Sequence, residues 1–169
     1  MDLKDRLLIR KFNEKSISEI EFRKTFSVDL RLNQDFILSN LYLALKEEDP
    51  ELLDYTLALF FFDPGFMNSE KYVHVLSRIL DCEWHFRHED IIALLEGTKS
   101  IECVEILYNT ALRNFKYLEY DNTYSLARKC IHALGRIKTK EATEKLEILA
   151  RSDNSIIKEK AEKQLYNIK

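Results

Sequence analysis

Leu126-Ala127-Arg128-Lys129-Cys130-Ile131-His132-Ala133-Leu134, moved forward by 31 residues, falls on Ile157-Lys158-Glu159-Lys160-Ala161-Glu162-Lys163-Gln164-Leu165. Large apolar side chains coincide at 126/157 and 134/165, and small ones at 130/161. Each segment has large apolar residues eight apart with a small one midway, which is one face of a helix. Self-similarity at a fixed period of tens of residues is the signature of a helical solenoid. Solenoids more often present a surface than run a reaction, so the pattern bears on function as well as fold.

Working outward from that stretch, apolar periodicity and capping residues predict about ten helices. They are expected over Leu3–Phe12, then after Ser16 or Ser18, over Asn33–Glu48, and from Pro50 to about Phe62 with Asp49 as N-cap. Asp63-Pro64-Gly65 breaks the chain, and Asn68 or Ser69 starts the next helix. Further helices are expected over His85–Glu96, closed by Gly97, and over Ser100–Phe115 and Asn122–Ile137, with Gly135 as a C-terminal or packing glycine. Lys140–Arg151, capped by Thr139, and Ser155–Ile168, capped by Asp153 or Asn154, complete the set. No segment reads as a strand. Helices joined by short connections make αα-hairpins, so the expected class is all-α, an α-solenoid of stacked antiparallel helix pairs forming a single domain over residues 1–169.

Composition agrees. Of 169 residues only 3 are Gly and 2 are Pro, too few for the turns of a β-rich fold. MDLKDRLLIRKF has dispersed charges and no apolar core, so no signal peptide is expected. The longest apolar run, within Leu52–Phe62, contains Asp54 and is too short to span a bilayer. Cys82, Cys103 and Cys130 are odd in number and far apart, which suits reduced thiols in a cytoplasmic protein. The net charge of −3 divides unevenly: residues 1–97 hold 19 acidic and 12 basic groups, residues 98–169 hold 10 and 14. An acidic front half argues against nucleic acid along the whole chain and suits a basic protein partner.

Leu126–Leu165 resembles a HEAT repeat of the short kind found in bacterial HEAT-like proteins. The matching pieces are Ala133-Leu134-Gly135, Lys140-Glu141-Ala142, Leu146, Leu149, Asp153-Asn154, Ile157-Lys158, Ala161 and Leu165. The resemblance implies that Ala133, Ala142 and Ala161 let helices approach closely, that Gly135 permits the turn between paired helices, and that Asp153 caps the next helix. It extends more loosely to His85–Phe115, where Cys103, Leu107 and Ala111 precede Ala142, Leu146 and Ala150 by 39 residues. On this reading residues 84–169 are HEAT-like repeats and residues 1–83 irregular helical ones. Trp84–Leu165 also resembles small bacterial HEAT-repeat proteins encoded near toxin genes, some of which are immunity proteins. The phrases that bear this likeness are Trp84-His85-Phe86-Arg87-His88-Glu89-Asp90-Ile91, Tyr117-Leu118-Glu119-Tyr120-Asp121 and Lys129-Cys130-Ile131-His132-Ala133-Leu134-Gly135.

Several clusters compete for a functional role. His85 and His88, with Glu89 or Asp90, have the residue types to hold a divalent metal. The alternatives are a helix start in which Trp84 and Phe86 pack while His88 and Glu89 cap or face water, or a partner-binding hot spot. Tyr117, Tyr120, Asp121 and Tyr124 lie between two repeats, where tyrosines either pack over the groove or touch a ligand. Leu59-Phe60-Phe61-Phe62 with Phe66 reads as a wide core face, or else as an exposed anchor. Glu47, Glu48, Asp49, Glu51 and Asp54 straddle a turn and offer a docking patch to a basic domain. Lys138, Lys140, Lys145, Arg151, Lys158, Lys160 and Lys163 flank apolar stripes, as outer helix faces do. Three glycines cannot build a phosphate loop, no Gly-x-Ser-x-Gly occurs, and Cys130 and His132 point apart on a helix.

The expectation is therefore a non-catalytic, cytoplasmic, protein-binding module without cofactor or metal. The resemblance narrows it to an immunity protein that neutralises a basic toxin domain through Glu47, Glu48, Asp49, Trp84, His85, His88, Glu89, Tyr117, Tyr120 and Asp121. The alternatives are a DNA-repair enzyme of the HEAT-like glycosylase or lyase type, with Lys/Arg lining a face around an aromatic and a carboxylate, and a scaffold subunit with an exposed apolar patch.

Overall fold

Scarcity of glycine and proline leaves the backbone little choice but helix, and helix is what forms. The computed structural model describes residues 1–33, 35–63 and 70–168. Among these there are ten α-helices and no strand: α1 (Leu3–Asn13), α2 (Glu19–Thr25), α3 (Asp35–Glu47), α4 (Pro50–Ala58), α5 (Val73–Leu80), α6 (His88–Thr98), α7 (Val104–Leu112), α8 (Ser125–Ile137), α9 (Lys140–Leu149) and α10 (Ser155–Ile168). Short 3₁₀ turns extend α4 over Leu59–Phe62 and lead into α7 over Ile101–Cys103. The expected helix start at Asn68 or Ser69, the break at Pro64-Gly65 and the role of Phe66 lie outside the described residues. No described helix is long and apolar enough to cross a membrane.

Helix starts follow side-chain chemistry. Ser18, Asp49 and Thr139 accept hydrogen bonds from the backbone N–H groups of Glu21, Leu52 and Ala142, satisfying donors the first turn would leave orphaned. At α10 the cap is Asn154, whose Oδ1 accepts from Ile156 N at 3.0 Å and Ile157 N at 3.2 Å, so Asp153 does not fill that role. Helix ends depart further from expectation. Gly97 lies inside α6, and Gly135 lies inside α8 with an ordinary negative φ. The left-handed positions after α3, α6 and α8 are taken by Glu48, Lys99 and Lys138, at φ 51°, 52° and 60°. Long, flexible side chains accept that conformation at a cost, where glycine would not.

The chain divides into two units, Met1–Val75 and Leu76–Lys169, with the division falling within α5. In the first, α1 packs on α2 and α4, and α3 packs on α4. Its core is rich in phenylalanine: Phe22 stacks on Phe62 with ring centroids 4.2 Å apart and on Phe26 at 4.8 Å, and Phe12 meets Phe62 at 4.8 Å. Phe60 and Phe62 are buried and only Phe61 of the run is exposed, so the Leu59–Phe62 segment is core. The buried Asp5 carboxylate accepts from the backbone N–H and hydroxyl of Ser27, and Tyr72 donates to Asp63 at 2.8 Å.

In the second unit α8 packs against α6, α7, α9 and α10, α7 also meets α9, and α9 meets α10. Contact on so many sides requires small residues, and Ala127, Cys130, Ala133 and Gly135 of α8 are all buried. Gly135 is a packing glycine: a Cβ there would stand 2.3 Å from the Gln164 Oε1 atom on α10. Ala133, Ala142 and Ala161 are fully buried.

Two substitutions check this account by denaturant unfolding. Lys138→Gly relieves the left-handed backbone and should stabilise by about 1 kcal/mol. Leu134→Ala, at a fully buried position, should destabilise by about 2–5 kcal/mol, while Ile148→Ala, half exposed, should stay within about 0.5 kcal/mol.

Candidate functional site

The segment between α5 and α6 is held to carbonyls at the end of α5. Ile79 lies in the last turn of α5, and Cys82 two residues beyond its end. Ile79 O accepts the Cys82 backbone N–H at 2.9 Å and, on its second lone pair, His85 Nε2–H at 2.8 Å, while His88 Nε2–H donates to Cys82 O at 2.8 Å. The remaining ring nitrogens are acceptors. His85 Nδ1 takes the Arg87 backbone N–H at 3.0 Å, and His88 Nδ1 takes the Tyr117 hydroxyl at 2.9 Å. With all four nitrogens engaged this way both rings are neutral and their tautomers follow from the partners. They stack at 4.3 Å and are fully buried. Burial, with the neighbouring His85 second, pushes the His88 pKa down from 6.5 to about 4. Burial likewise raises the Tyr117 phenol to about 12, so it remains a hydrogen donor.

This arrangement reverses the polarity expected at Trp84–Asp90. His85 and His88 are internal supports, unable to touch a partner or a metal without losing these bonds. Among the described residues no three His, Cys, Asp or Glu side chains are grouped to hold a metal ion. Phe86, instead of packing, is 72 % exposed. Trp84 is half-buried against His85, and its indole N–H is buried with no hydrogen-bond partner among the described residues.

Tyr117 belongs to the 113–124 connection, and three ties hold that connection to the unit. Arg113 donates to Asp81 O at 2.7 Å, to Asp81 Oδ1 at 2.8 Å and to Glu83 Oε1 at 2.8 Å. Phe115 is buried with its ring 4.0 Å from that of His88. Asp121 accepts from the backbone N–H of Thr123 at 2.9 Å and of Ser125 at 2.7 Å, replacing the cap that Tyr124 cannot supply to α8. Those bonds, from Ser125 first and then Thr123, hold the Asp121 carboxyl well below the usual carboxylate range. Glu89 is tied to Ser125 Oγ at 2.9 Å and to Lys129 Nζ at 2.9 Å, the lysine being the main reason its pKa is lowered. The loop therefore presents Tyr120, 80 % exposed, and supports Phe86, whose ring meets Tyr117 edge-on at 5.2 Å.

Of the ten expected contact residues, Trp84, His85, His88, Glu89, Tyr117, Tyr120 and Asp121 fall in the second unit, and Glu47, Glu48 and Asp49 in the first. His88 and Tyr117 share one network; Glu89 and Asp121 both bind Ser125. The acidic trio is partly spoken for. Asp49 caps α4 and lies 3.8 Å from Arg6, Glu47 pairs with Lys46 at 3.3 Å, and Glu48 forms the left-handed end of α3. Arg113 and Phe86 matter more than their sequence context suggests. Arg113 could not be singled out because its acidic partners stand about thirty residues upstream.

A separate groove of about 560 Å³ runs between α8 and α10, with Arg128, Lys129, Lys160 and Lys163 around it and Glu96 of α6 at its edge. The cations and carboxylate of a DNA-repair site are thus present, but no Phe, Tyr or Trp lines the groove among the described residues.

Comparison with protein-family models, with curated proteins and with solved structures finds no match to the chain.

The histidine network makes stability depend on pH. An unfolded chain protonates His88 near 6.5 and the folded one only near 4, so the unfolded state holds more protons between those values. Stability is full above pH 6.5 and is expected to fall as pH drops toward 4, by up to about 3 kcal/mol from this residue. Arg113 and Glu83 are the charged groups nearest in effect to the ring. Urea unfolding of His88→Gln across that range should show a shallower slope than the parent protein.

Proposed function

We propose that the chain is a HEAT-like, protein-binding α-solenoid that acts by stoichiometric docking, without catalysis. The observation that carries this is the exposure of two large aromatics, Phe86 and Tyr120, on segments held rigid by buried hydrogen bonds. Aromatic anchors dominate binding hot spots, and a surface already ordered before contact loses little entropy on docking. Support for the repeat reading comes from the alternation of contacts, α6 with α8 and α8 with α10, α7 with α9, together with buried small residues at matched positions, Cys103 with Ala142 and Cys130 with Ala161.

Within that class, the specific reading is an immunity-type role: a cytoplasmic bacterial protein that covers a toxin domain and blocks it sterically. In the second unit Phe86 and Tyr120 supply the apolar anchors and Trp84 and Tyr117 shape the floor beneath them; in the first unit Glu47 and Glu48 are by themselves an acidic patch suited to a basic partner. His85, His88, Glu89 and Asp121 hold the surface in place.

Co-expression with a toxin domain encoded beside its gene, followed by co-purification, tests the proposal. The expected result is rescue of growth and a one-to-one complex. Phe86→Ser and Tyr120→Ser should each weaken the complex by roughly tenfold or more, with little change in melting temperature because both side chains face water. Failure to recover a stoichiometric protein partner, or affinity indifferent to both substitutions, overturns it.

A further inference from the structure

Burial places α6 and α8 in register at an offset of 39 residues: His88, Ile91, Ile92 and Leu95 are buried where α8 buries Ala127, Cys130, Ile131 and Leu134. An offset of 31 relates α8 to α10 in the same way, Leu126 and Cys130 matching the buried Ile157 and Ala161. These offsets expose a substitution in the pattern of charges between neighbouring helices. Lys129 of α8 reaches across to Glu89 of α6 at 2.9 Å. The residue matching Lys129 on α10 is Lys160, and the residue matching Glu89 on α8 is Arg128. An ion pair at one helix junction is therefore replaced by two cations at the next.

The consequences are visible in the contacts. Lys160 turns to the adjacent Glu159 of its own helix at 2.7 Å, while Arg128, whose charge also helps lower the Glu159 pKa, forms no ion pair with any described residue. Lys163 stands one turn beyond Lys160 and also lacks an ion pair among the described residues. On the α6 side the charges are balanced: Glu96 takes His132 at 3.2 Å and Arg136 at 3.9 Å. Like charges gathered along a helix junction oppose packing, while an incoming carboxylate would restore the pairing that Glu89 supplies next door.

We infer that the α8–α10 groove is a second interaction surface, which receives acidic side chains of a partner polypeptide. Its volume, about 560 Å³, admits an extended segment rather than a single ion. Gln164 and Asn167 line it with amides suited to a peptide backbone. A single-stranded polynucleotide fits less well, because single strands are held by stacking on aromatic rings and none lines the groove among the described residues. The groove shares Ser125 and Lys129 with the support of Glu89, but neither Phe86 nor Tyr120 lines it, and the reading of those two aromatics stands on its own test.

Fluorescence anisotropy with a short labelled Glu/Ser peptide checks the inference directly. A Gln/Ser peptide of equal length and an oligonucleotide serve as comparisons. The Glu/Ser peptide should bind best, and more weakly as salt rises. Arg128→Glu gives Lys160 a cross-helix carboxylate, so it should reduce peptide binding at least tenfold while the melting temperature holds or rises. Lys140→Glu, an equal change of net charge on α9 outside the groove, should leave binding within about twofold. The inference is overturned if the Glu/Ser peptide binds no better than the Gln/Ser one, if Arg128→Glu and Lys140→Glu act alike, or if the oligonucleotide binds more tightly at the same salt.

Discussion

Close packing around α8 is the constraint on which the second unit depends. A helix touched by four others has almost no outer face left, and its neighbours can approach only where side chains are small. Cys130, Ala133 and Gly135 meet that requirement, and Gln164 lies so near Gly135 that even a methyl group would displace it. Cys130 is chosen for size rather than reactivity: burial drives its thiol far above the ordinary value, leaving no thiolate for chemistry. What remains exposed on α8 is a single charged edge, so the only surfaces this helix can offer a partner are electrostatic.

The aromatic surface has a different origin. Residues 81–88 leave α5 without a glycine or proline, and histidine side chains bond the carbonyls of Ile79 and Cys82 at that helix end. Because each imidazole is both donor and acceptor, His88 joins a backbone carbonyl on one side to the Tyr117 hydroxyl on the other. A lysine or glutamine at the same place could not link two elements with so little flexibility. The network orders the loop but leaves the buried indole N–H of Trp84 without a partner among the described residues, at a cost on the order of 1–3 kcal/mol.

The sequence made most of the helices legible, because they are amphipathic over many turns and opened by Ser, Thr, Asp or Asn. Helix ends were less so: glycine is the expected signal, yet Lys99, Lys138 and Glu48 take the left-handed positions, and nothing in their chemistry announces it. The site was legible as a cluster but not in its orientation. Trp84 through Asp90 has no period, so which of Phe86 and His88 points inward depends on carbonyls at residues 79 and 82 and a hydroxyl at residue 117. Such choices are set by hydrogen-bond partners distant in sequence, which hydrophobic patterning does not encode.

The 31-residue self-match also shows where its own pattern is broken. Apolar and small positions survive the 31-residue shift because packing enforces them, whereas surface positions are free to drift. Arg128 matching Glu159 could be mere drift if the two stood apart in water. Their setting argues otherwise: Arg128 occupies the place that, one junction earlier, holds the carboxylate binding Lys129. Drift at a paired site should replace glutamate by a neutral residue more readily than by a cation that faces lysine. The reversal of sign sets four cations, Arg128, Lys129, Lys160 and Lys163, against one lining carboxylate, Glu96, among the described residues.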